Sequence, residues 1–156
     1  MLSLYNPELQ DLSFRRRMLE DPATMSYNHH WGGTVSFPEE DWDDWYDHWI
    51  VKNEGRRFYR YLQNEDGELV GEIAYHYDRQ NNCLANVLIY APFRGRGYGS
   101  KALDILCDCA SENGVREMYD DIAIDNPAIS LFLKHGFKEE YRTDEIIMLK
   151  RILINE

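Results

Sequence analysis

The stretch ANVLIYAPFRGRGYGSKALDILCDCA, residues 85–110, decides the fold of this chain. A β-branched and aromatic run leads into the glycine-rich hexapeptide RGRGYG at 94–99, and a helical pattern follows directly. In that pattern the small and apolar residues fall at helical spacing: Gly99, Ala102, Leu103, Leu106, Cys107 and Ala110. A glycine cluster between a strand and a helix lets the backbone approach a bound group closely, and that group is often a phosphate.

Two helices are predicted ahead of this stretch. The first is PELQDLSFRRRMLED. The second is EEDWDDWYDHWIVK, which begins near Ser36 and Glu39, a pair with the spacing of a capping box. The segment between the helices, MSYNHHWGGTVSF, contains two adjacent glycines and is predicted to be a loop.

Runs rich in β-branched and aromatic residues predict the strands, namely LSLY, RFYRYLQ, LVGEIAYHY, CLANVLIY, REMYDDIAI, FKEEYR and EIIMLKRIL. The turn NEDG joins the second and third runs, which predicts a meander of antiparallel hairpins before the glycine cluster. A short helix, NPAISLFLK, follows the fifth run. Because no repeat or linker interrupts the pattern, we expect a single domain over residues 1–156.

Charge is the most informative property of the composition. The 156 residues include 17 Lys and Arg against 28 Asp and Glu, which gives a net charge of −11. This charge repels nucleic acid and anionic membranes, and it favours a small cationic partner. No membrane span or signal peptide is expected, and Cys83, Cys107 and Cys109 are predicted to be reduced thiols in a cytoplasmic protein. The histidines lack metal-ligand spacing, so no metal is expected.

Three kinds of phosphate-binding loop can be compared with the glycine cluster. A Walker A loop fails because Gly99 precedes Ser100-Lys101 in the wrong order. A dinucleotide fingerprint is weakened, since hairpins rather than a parallel unit precede the cluster, although Asp120 and Asp121 follow at a suitable distance. The third kind is [RQ]-x-x-G-x-[GA], placed between the last strand of a meander and a central helix, and its backbone amides hold a pyrophosphate.

The third pattern resembles the GNAT acetyltransferase superfamily. Arg94-x-x-Gly97-x-Gly99 is similar to the coenzyme A loop of that family, and DNPAISLFLKHGF is similar to its segment after the fifth strand. The resemblance covers nearly the whole chain. It implies an α+β (α/β) fold with a mixed, mostly antiparallel sheet of six to seven strands and about four helices, in the order β-α-α-β-β-β-α-β-α-β-β.

The same resemblance implies acetyl-CoA as the cofactor and a set of residues that bind it. They are the backbone amides near Leu88, Ile89 and Tyr90, the loop residues Arg94, Gly95, Arg96, Gly97, Tyr98, Gly99 and Ser100, and further along Asn126 and Phe132. The strand before the loop is expected to splay from its neighbour. Asn126 has a second interpretation, as the cap of the helix that follows it.

Two positions depart from the family pattern. Phe132 stands where many members carry a general-acid tyrosine, and Leu84 stands near the usual strand carboxylate. A substitute base that acts through a water is expected at Glu72 or His76, with Asn86 orienting the water. The simpler and favoured alternative is that Glu72 and His76 face solvent on the far side of the sheet. Asp120 and Asp121 are expected either to hold a cationic substrate or to cap a turn.

The second predicted helix combines many carboxylates with Trp42, Trp45 and Trp49 on one face. Packing on the core is the simpler expectation for the tryptophans. In the family this element forms a wall of the acceptor site, so the acidic face around Asp43, Asp44 and Asp47 is predicted to attract a protonated amine.

The sequence therefore favours an N-acetyltransferase that acts on a primary amine, either of a small molecule such as a polyamine or aminoglycoside or of a peptide. A homodimer stays open. One alternative is a GNAT-fold module that binds coenzyme A with weak or no catalysis. Another is a regulatory domain that binds ATP or NAD.

Overall fold

Residues 1–153, without the side chain of His30, are described by this computed structural model and alternate between strands and helices. The elements are β1 (Ser3–Tyr5), α1 (Leu12–Glu20), α2 (Trp42–Tyr46), β2 (Arg57–Gln63), β3 (Leu69–Tyr77), β4 (Cys83–Ile89), α3 (Tyr98–Glu112), β5 (Glu117–Ala123), α4 (Ala128–Lys134), β6 (Lys138–Arg142) and β7 (Ile146–Ile152). This order confirms the predicted arrangement of strands and helices. The bounds of β2 and β3 match the predicted runs residue for residue.

The two N-terminal helices are less regular than their sequence patterns predict. The second begins with a 3-10 turn at Glu39–Asp41 and ends in a π turn at Asp47–Val51. Pro38 is its N-terminal cap and no side chain caps it, so the predicted capping box is wrong. Another 3-10 segment, Ser26–Trp31, lies within the predicted loop.

The seven strands of the described chain form one sheet in the order β1-β2-β3-β4-β5-β7-β6. Every neighbouring pair is antiparallel except β4 and β5, which run parallel. That parallel pair is joined at one register position, Leu84 opposite Tyr119. The strands therefore separate beyond this position, as the family resemblance implies.

The two faces of the sheet are packed differently. One face carries aliphatic side chains such as Ile73 and Met118, against the buried side of α3. The predicted apolar positions of α3 are confirmed as buried, namely Ala102, Leu103, Leu106, Cys107 and Ala110. The other face carries the aromatic residues Tyr59 and Tyr61 under α1 and α2.

The three cysteines lie inside or at the edge of this packing. Cys83 and Cys107 are buried and Cys109 is half-buried. Burial raises the pKa of all three thiols, that of Cys83 to about 12. Within residues 1–153 no helix is both long and apolar enough to cross a membrane.

Candidate active site

A cleft of about 900 Å³ is lined by residues of α1, α2, β3, β4, β5, α4 and the glycine loop, residues 94–100. The predicted site residues that line it are Glu72, His76, Asn86, Leu88, Ile89, Arg94, Gly95, Gly97, Tyr98, Gly99, Asn126 and Phe132. Within the described part of the chain, the other three predicted residues, Tyr90, Arg96 and Ser100, lie outside its lining. One cleft thus brings together most of the predicted cofactor and catalytic residues.

The separation of β4 from β5 exposes backbone amides along one side of the cleft. The Tyr90 amide is not among them, because it donates to the Val70 carbonyl at 2.8 Å. Alternate amides of a strand point the same way, so the Leu88 amide also faces β3, and those of Val87 and Ile89 face the gap. The prediction of free amides is therefore wrong for Tyr90 and Leu88. The amides that face the gap belong to Ile89, which was predicted, and to Val87, which was not.

The glycine loop leaves open space where side chains would otherwise stand. Gly95 and Gly97 have φ angles of +82° and +80°, and no atom lies within 4 Å of a Cβ added at either one. Gly97 is the N-terminal cap of α3, a helix of 15 residues. Backbone amides at such a helix start favour phosphate binding, so the loop fits the pyrophosphate of coenzyme A.

Arg94 is engaged with the protein's own backbone. Its guanidinium donates to the carbonyls of Ile89 at 3.0 Å, Ala23 at 3.1 Å and Thr24 at 2.7 Å. Burial lowers its pKa. Arg94 therefore ties the segment after α1 to the start of the glycine loop, while the exposed Arg96 stacks on the Phe93 ring with 5.4 Å between the guanidinium carbon and the ring centroid.

Glu72 lies at the centre of a buried polar group, which we call the Glu72 cluster: Glu72, Arg15, Tyr59 and Asn86. Arg15 Nη1 donates to both carboxylate oxygens at 2.7 and 2.9 Å. The Tyr59 hydroxyl donates to one oxygen at 2.7 Å, and Asn86 Nδ2 donates to the other at 2.8 Å. Glu72 is only 2% exposed, so the favoured expectation that it faces solvent is wrong.

Arg15 was not predicted, although the sequence carries a signal for it. It lies three residues after Leu12 and four before Leu19, which places it on the buried side of α1. Burial, the largest single influence, lowers the pKa of Arg15, but the charges and hydrogen bonds of Glu72 and Tyr59 together outweigh it, so the net shift of the pKa is upward. Its guanidinium carbon lies 4.8 Å from the centroid of Trp45, a cation–π contact.

His76 lies on β3 two positions beyond Ala74, on the same face as Glu72, and it lines the cleft half-buried. Its ring meets that of Trp49 edge-on, with 5.9 Å between the centroids. Burial first, and then the Arg57 charge, lower the pKa of His76. The imidazole is therefore neutral at pH 7 and able to accept a proton.

The predicted acidic wall is built differently from the expectation. Trp45 and Trp49 line the cleft, and all three tryptophans of the helix pack partly buried on the aromatic core, as expected. Asp43, Asp44 and Asp47 do not line the cleft within the described chain. They sit on the outer side because the tryptophan face turns inward, so their predicted place at the acceptor site is wrong.

Besides Glu72, the carboxylates that line the cleft come from β5 and the turn after it. Asp121 is exposed, and Asp120 is half-buried. Burial first, and then the neighbouring Asp121 charge, raise the pKa of Asp120 well above its usual range. Burial, with the nearby charges of Glu72 and Asp120, raises the pKa of Tyr27 to about 12. A desolvated carboxyl and a phenol that keeps its proton thus face the same space.

Two predicted cofactor residues lie around α4. Asn126 Oδ1 accepts a hydrogen bond from the Ala128 amide at 2.9 Å, so its side chain holds the turn that enters α4, although the N-terminal cap of that helix is Pro127. Phe132 is buried against Phe137, with 4.9 Å between the ring centroids. A phenyl ring cannot donate a proton, so this position supplies an apolar surface to the cleft.

Comparison with known proteins assigns the family. A family model described as the acetyltransferase (GNAT) domain matches residues 2–138. This chain belongs to the GNAT acetyltransferases. It is therefore an acetyltransferase that uses acetyl-CoA, and the predicted family and cofactor are confirmed. No curated protein matches it in sequence.

Several solved GNAT structures share the fold. The spermidine N-acetyltransferase of Vibrio cholerae, in complex with CoA and spermine, is 18% identical with a TM-score of 0.83, over 97% of this chain and 95% of that one. The phosphinothricin acetyltransferase of Sinorhizobium meliloti, in complex with AcCoA, is 16% identical with a TM-score of 0.77, over 97% and 88%. An N-acetyltransferase from Staphylococcus aureus is 18% identical with a TM-score of 0.77, over 99% of each chain. At these identities the likeness shows the fold alone.

Proposed function

We propose that this GNAT protein transfers an acetyl group from acetyl-CoA to the primary amine of a small cationic molecule. The observation that carries the proposal is the charge balance of the cleft. Its two arginines are already paired, Arg15 with the Glu72 carboxylate and Arg94 with three backbone carbonyls. Asp120 and Asp121 have no such basic partner among the described residues, so the cleft favours a cation.

The aromatic lining supports the same class of acceptor. Trp45 and Trp49 stack with 5.7 Å between their centroids, and Tyr59 meets Trp45 edge-on at 4.8 Å. Faces of tryptophan attract ammonium groups, and the attraction strengthens when water is excluded. An ammonium group arriving beside Asp120 would also stabilise its ionised form, which burial disfavours.

His76 is the residue that we assign as the base. The acceptor amine must lose a proton before it can attack, and acetyl-CoA supplies the acetyl group as a thioester. The neutral imidazole of His76 borders the cleft, whereas the Glu72 carboxylate already accepts four hydrogen bonds. Glu72 and Asn86 are therefore assigned to positioning the wall of the cleft, and Tyr27 is a hydrogen-bond donor available inside it.

The test is thiol release from acetyl-CoA over a panel of amines at equal concentration, with product masses confirming transfer. The panel contains a polyamine, a simple monoamine, a peptide with a free N-terminus and an amino acid with an anionic side chain. We expect the polyamine to give the highest kcat/KM and the anionic amino acid the lowest. Equal rates for the polyamine, the monoamine and the anionic amino acid would contradict the cationic acceptor but leave acetyl transfer standing.

A second candidate is a coenzyme A-binding module with weak or no catalysis, and Phe132 is the observation that favours it. A module predicts that coenzyme A raises the melting temperature while no amine in the panel releases thiol. Release with any amine, above the rate without protein, excludes it.

A further inference from the structure

Three polar side chains outside the cleft form a hydrogen-bonded chain where α3 meets α4. The Ser100 hydroxyl oxygen lies 2.9 Å from His135 Nε2. His135 Nδ1 lies 2.8 Å from an Asp104 carboxylate oxygen, and the imidazole is only 13% exposed. Ser100 belongs to the first turn of α3, directly after the glycines of the loop, so one end of this chain borders the phosphate-binding end of the helix.

The protonation of His135 decides whether the Ser100 hydroxyl can donate a hydrogen bond to a ligand. A carboxylate only accepts, so a neutral His135 places its single N–H on Nδ1, toward Asp104. Its Nε2 then accepts the Ser100 O–H, and the serine oxygen presents only lone pairs to its surroundings. A phosphate oxygen also only accepts. A neutral His135 therefore leaves Ser100 unable to donate to a bound phosphate.

Protonation of His135 reverses the direction of the bond to Ser100. An imidazolium donates from both nitrogens, to Asp104 and to the serine oxygen, and the Ser100 O–H becomes free to donate to an anion. Asp104 stabilises the imidazolium charge at 2.8 Å. We propose that His135 takes up a proton when coenzyme A binds, and that the Ser100–His135–Asp104 chain thereby supplies the glycine loop with a hydrogen-bond donor and a positive charge.

This charge would supplement the charges of the loop's own arginines, of which one is engaged with backbone carbonyls. Arg94 donates to three carbonyls, and Arg96 stacks on Phe93. A pyrophosphate brings negative charge to a protein whose net charge is already −11. A proton taken up at His135 offsets part of that charge.

Charged groups on the surrounding elements act on His135 in both directions. Asp104 on α3 favours the imidazolium through direct contact. Lys101 on α3, Lys134 on α4 and Arg151 on β7 oppose it; the Arg151 Nε lies 3.5 Å from a Cβ added at Gly136, the residue after His135. A pyrophosphate bound at the loop would add a negative charge on the side that favours the imidazolium.

The experiment is titration calorimetry with 3′-dephospho-coenzyme A at pH 7.5, in two buffers that differ in ionisation enthalpy. This ligand carries the pyrophosphate, which stays fully ionised near neutral pH, so any proton taken up belongs to the protein. We expect the wild type to take up a large fraction of one proton per ligand. Its affinity should weaken by up to about tenfold per pH unit as the pH rises.

Two variants and a matched control locate the proton. His135→Gln keeps an N–H that donates to Ser100 but cannot titrate, so uptake should vanish while affinity at pH 8.5 equals or exceeds that of the wild type. Asp104→Asn should reduce the uptake because the imidazolium loses its counter-charge. Asp108→Asn removes the same charge one turn further along α3, at an exposed position, and should behave as the wild type does. Thermal unfolding of each variant verifies that it is folded.

The outcomes separate this proposal from the proposed function, on whose cofactor it rests. Binding without proton uptake by the wild type, or uptake that persists in His135→Gln, would overturn the role of His135 and leave acetyl transfer untouched. Binding with uptake but without thiol release supports the relay and overturns the transfer reaction. If the folded wild type binds neither coenzyme A nor its dephospho form, both proposals fail together.

Discussion

The glycine loop and the Glu72 cluster border the same cleft and are built by opposite means. The loop is defined by open space, since a Cβ added at Gly95 or Gly97 would meet no atom within 4 Å. The cluster is filled, with four hydrogen bonds converging on one buried carboxylate. The comparison teaches that one region is shaped to receive a ligand and the other to hold a wall in place. Substitutions should therefore affect binding in the first and stability in the second.

The largest effect is expected from Glu72→Gln. The substitution leaves the Arg15 guanidinium buried without its counter-charge, which costs about 3–5 kcal/mol of unfolding free energy. Urea denaturation measures the loss. The matched control is Glu139→Gln, which breaks the exposed pair with Arg142 on β6 and should leave the urea midpoint close to that of the wild type. A loss at Glu72 no larger than the control would show that the cluster does not hold the wall.

His76→Gln tests the proposed base, which lies on β3 close to the Glu72 cluster but is not part of it. Loss of the base should lower kcat/KM for the amine by about 10²-fold with little change in stability. The pKa of His76 lies below its usual value, so wild-type activity should persist to pH values below about 6.5 and fall as the imidazole gains a proton. The variant should lack this acidic limb. His48→Gln, at an exposed position, serves as the control, and an unchanged pH profile in His76→Gln would assign the base elsewhere.

Gly97→Val tests the open space of the loop. A side chain there blocks the approach of a phosphate, so stabilisation by coenzyme A, about 2.7 kcal/mol at 100 times Kd for the wild type, should disappear. Gly114→Val is the matched control because Gly114 also has a positive φ, +86°, and open space around its Cβ. Both variants bear the cost of the strained backbone, but only Gly97→Val should lose the response to coenzyme A. Equal responses would place the cofactor elsewhere.

The smallest effect is expected from Asp121→Asn. Removing this exposed carboxylate should lower kcat/KM for a dicationic amine about fivefold and weaken its dependence on salt, since screening acts within about 8 Å at physiological ionic strength. The KM for acetyl-CoA should not change. The triple variant of Asp43, Asp44 and Asp47 to Asn, on the outer side of the tryptophan helix, should leave amine kinetics as they are. A larger effect from the triple variant than from Asp121→Asn would indicate that the acceptor binds at the acidic face of the tryptophan helix.

The regions predicted correctly are those whose structure depends on residues that are close together in the sequence. Strands β2 and β3 could be bounded because alternating side chains and the NEDG turn are local signals, and the loop because glycines mark it directly. The Glu72 cluster escaped prediction because Arg15 and Glu72 are 57 positions apart in the chain. The tryptophans pack on the core as expected, but the acidic face was wrongly placed at the acceptor site because the sequence pattern does not state which side of the helix meets the cleft. His135 also gave no signal, since its partners lie on α3, more than 30 positions earlier.

The buried cysteines have a practical consequence for assays of this enzyme. Reagents that colour on contact with thiolates detect released coenzyme A, but they also react with protein thiols. Here Cys83 and Cys107 are buried, and the pKa of all three thiols is raised, so the folded protein reacts slowly. Unfolding exposes all three protein thiols at once. One reagent therefore reads turnover while the chain is folded and counts unfolded molecules when it is not, so activity and stability of every variant can be followed in the same cuvette.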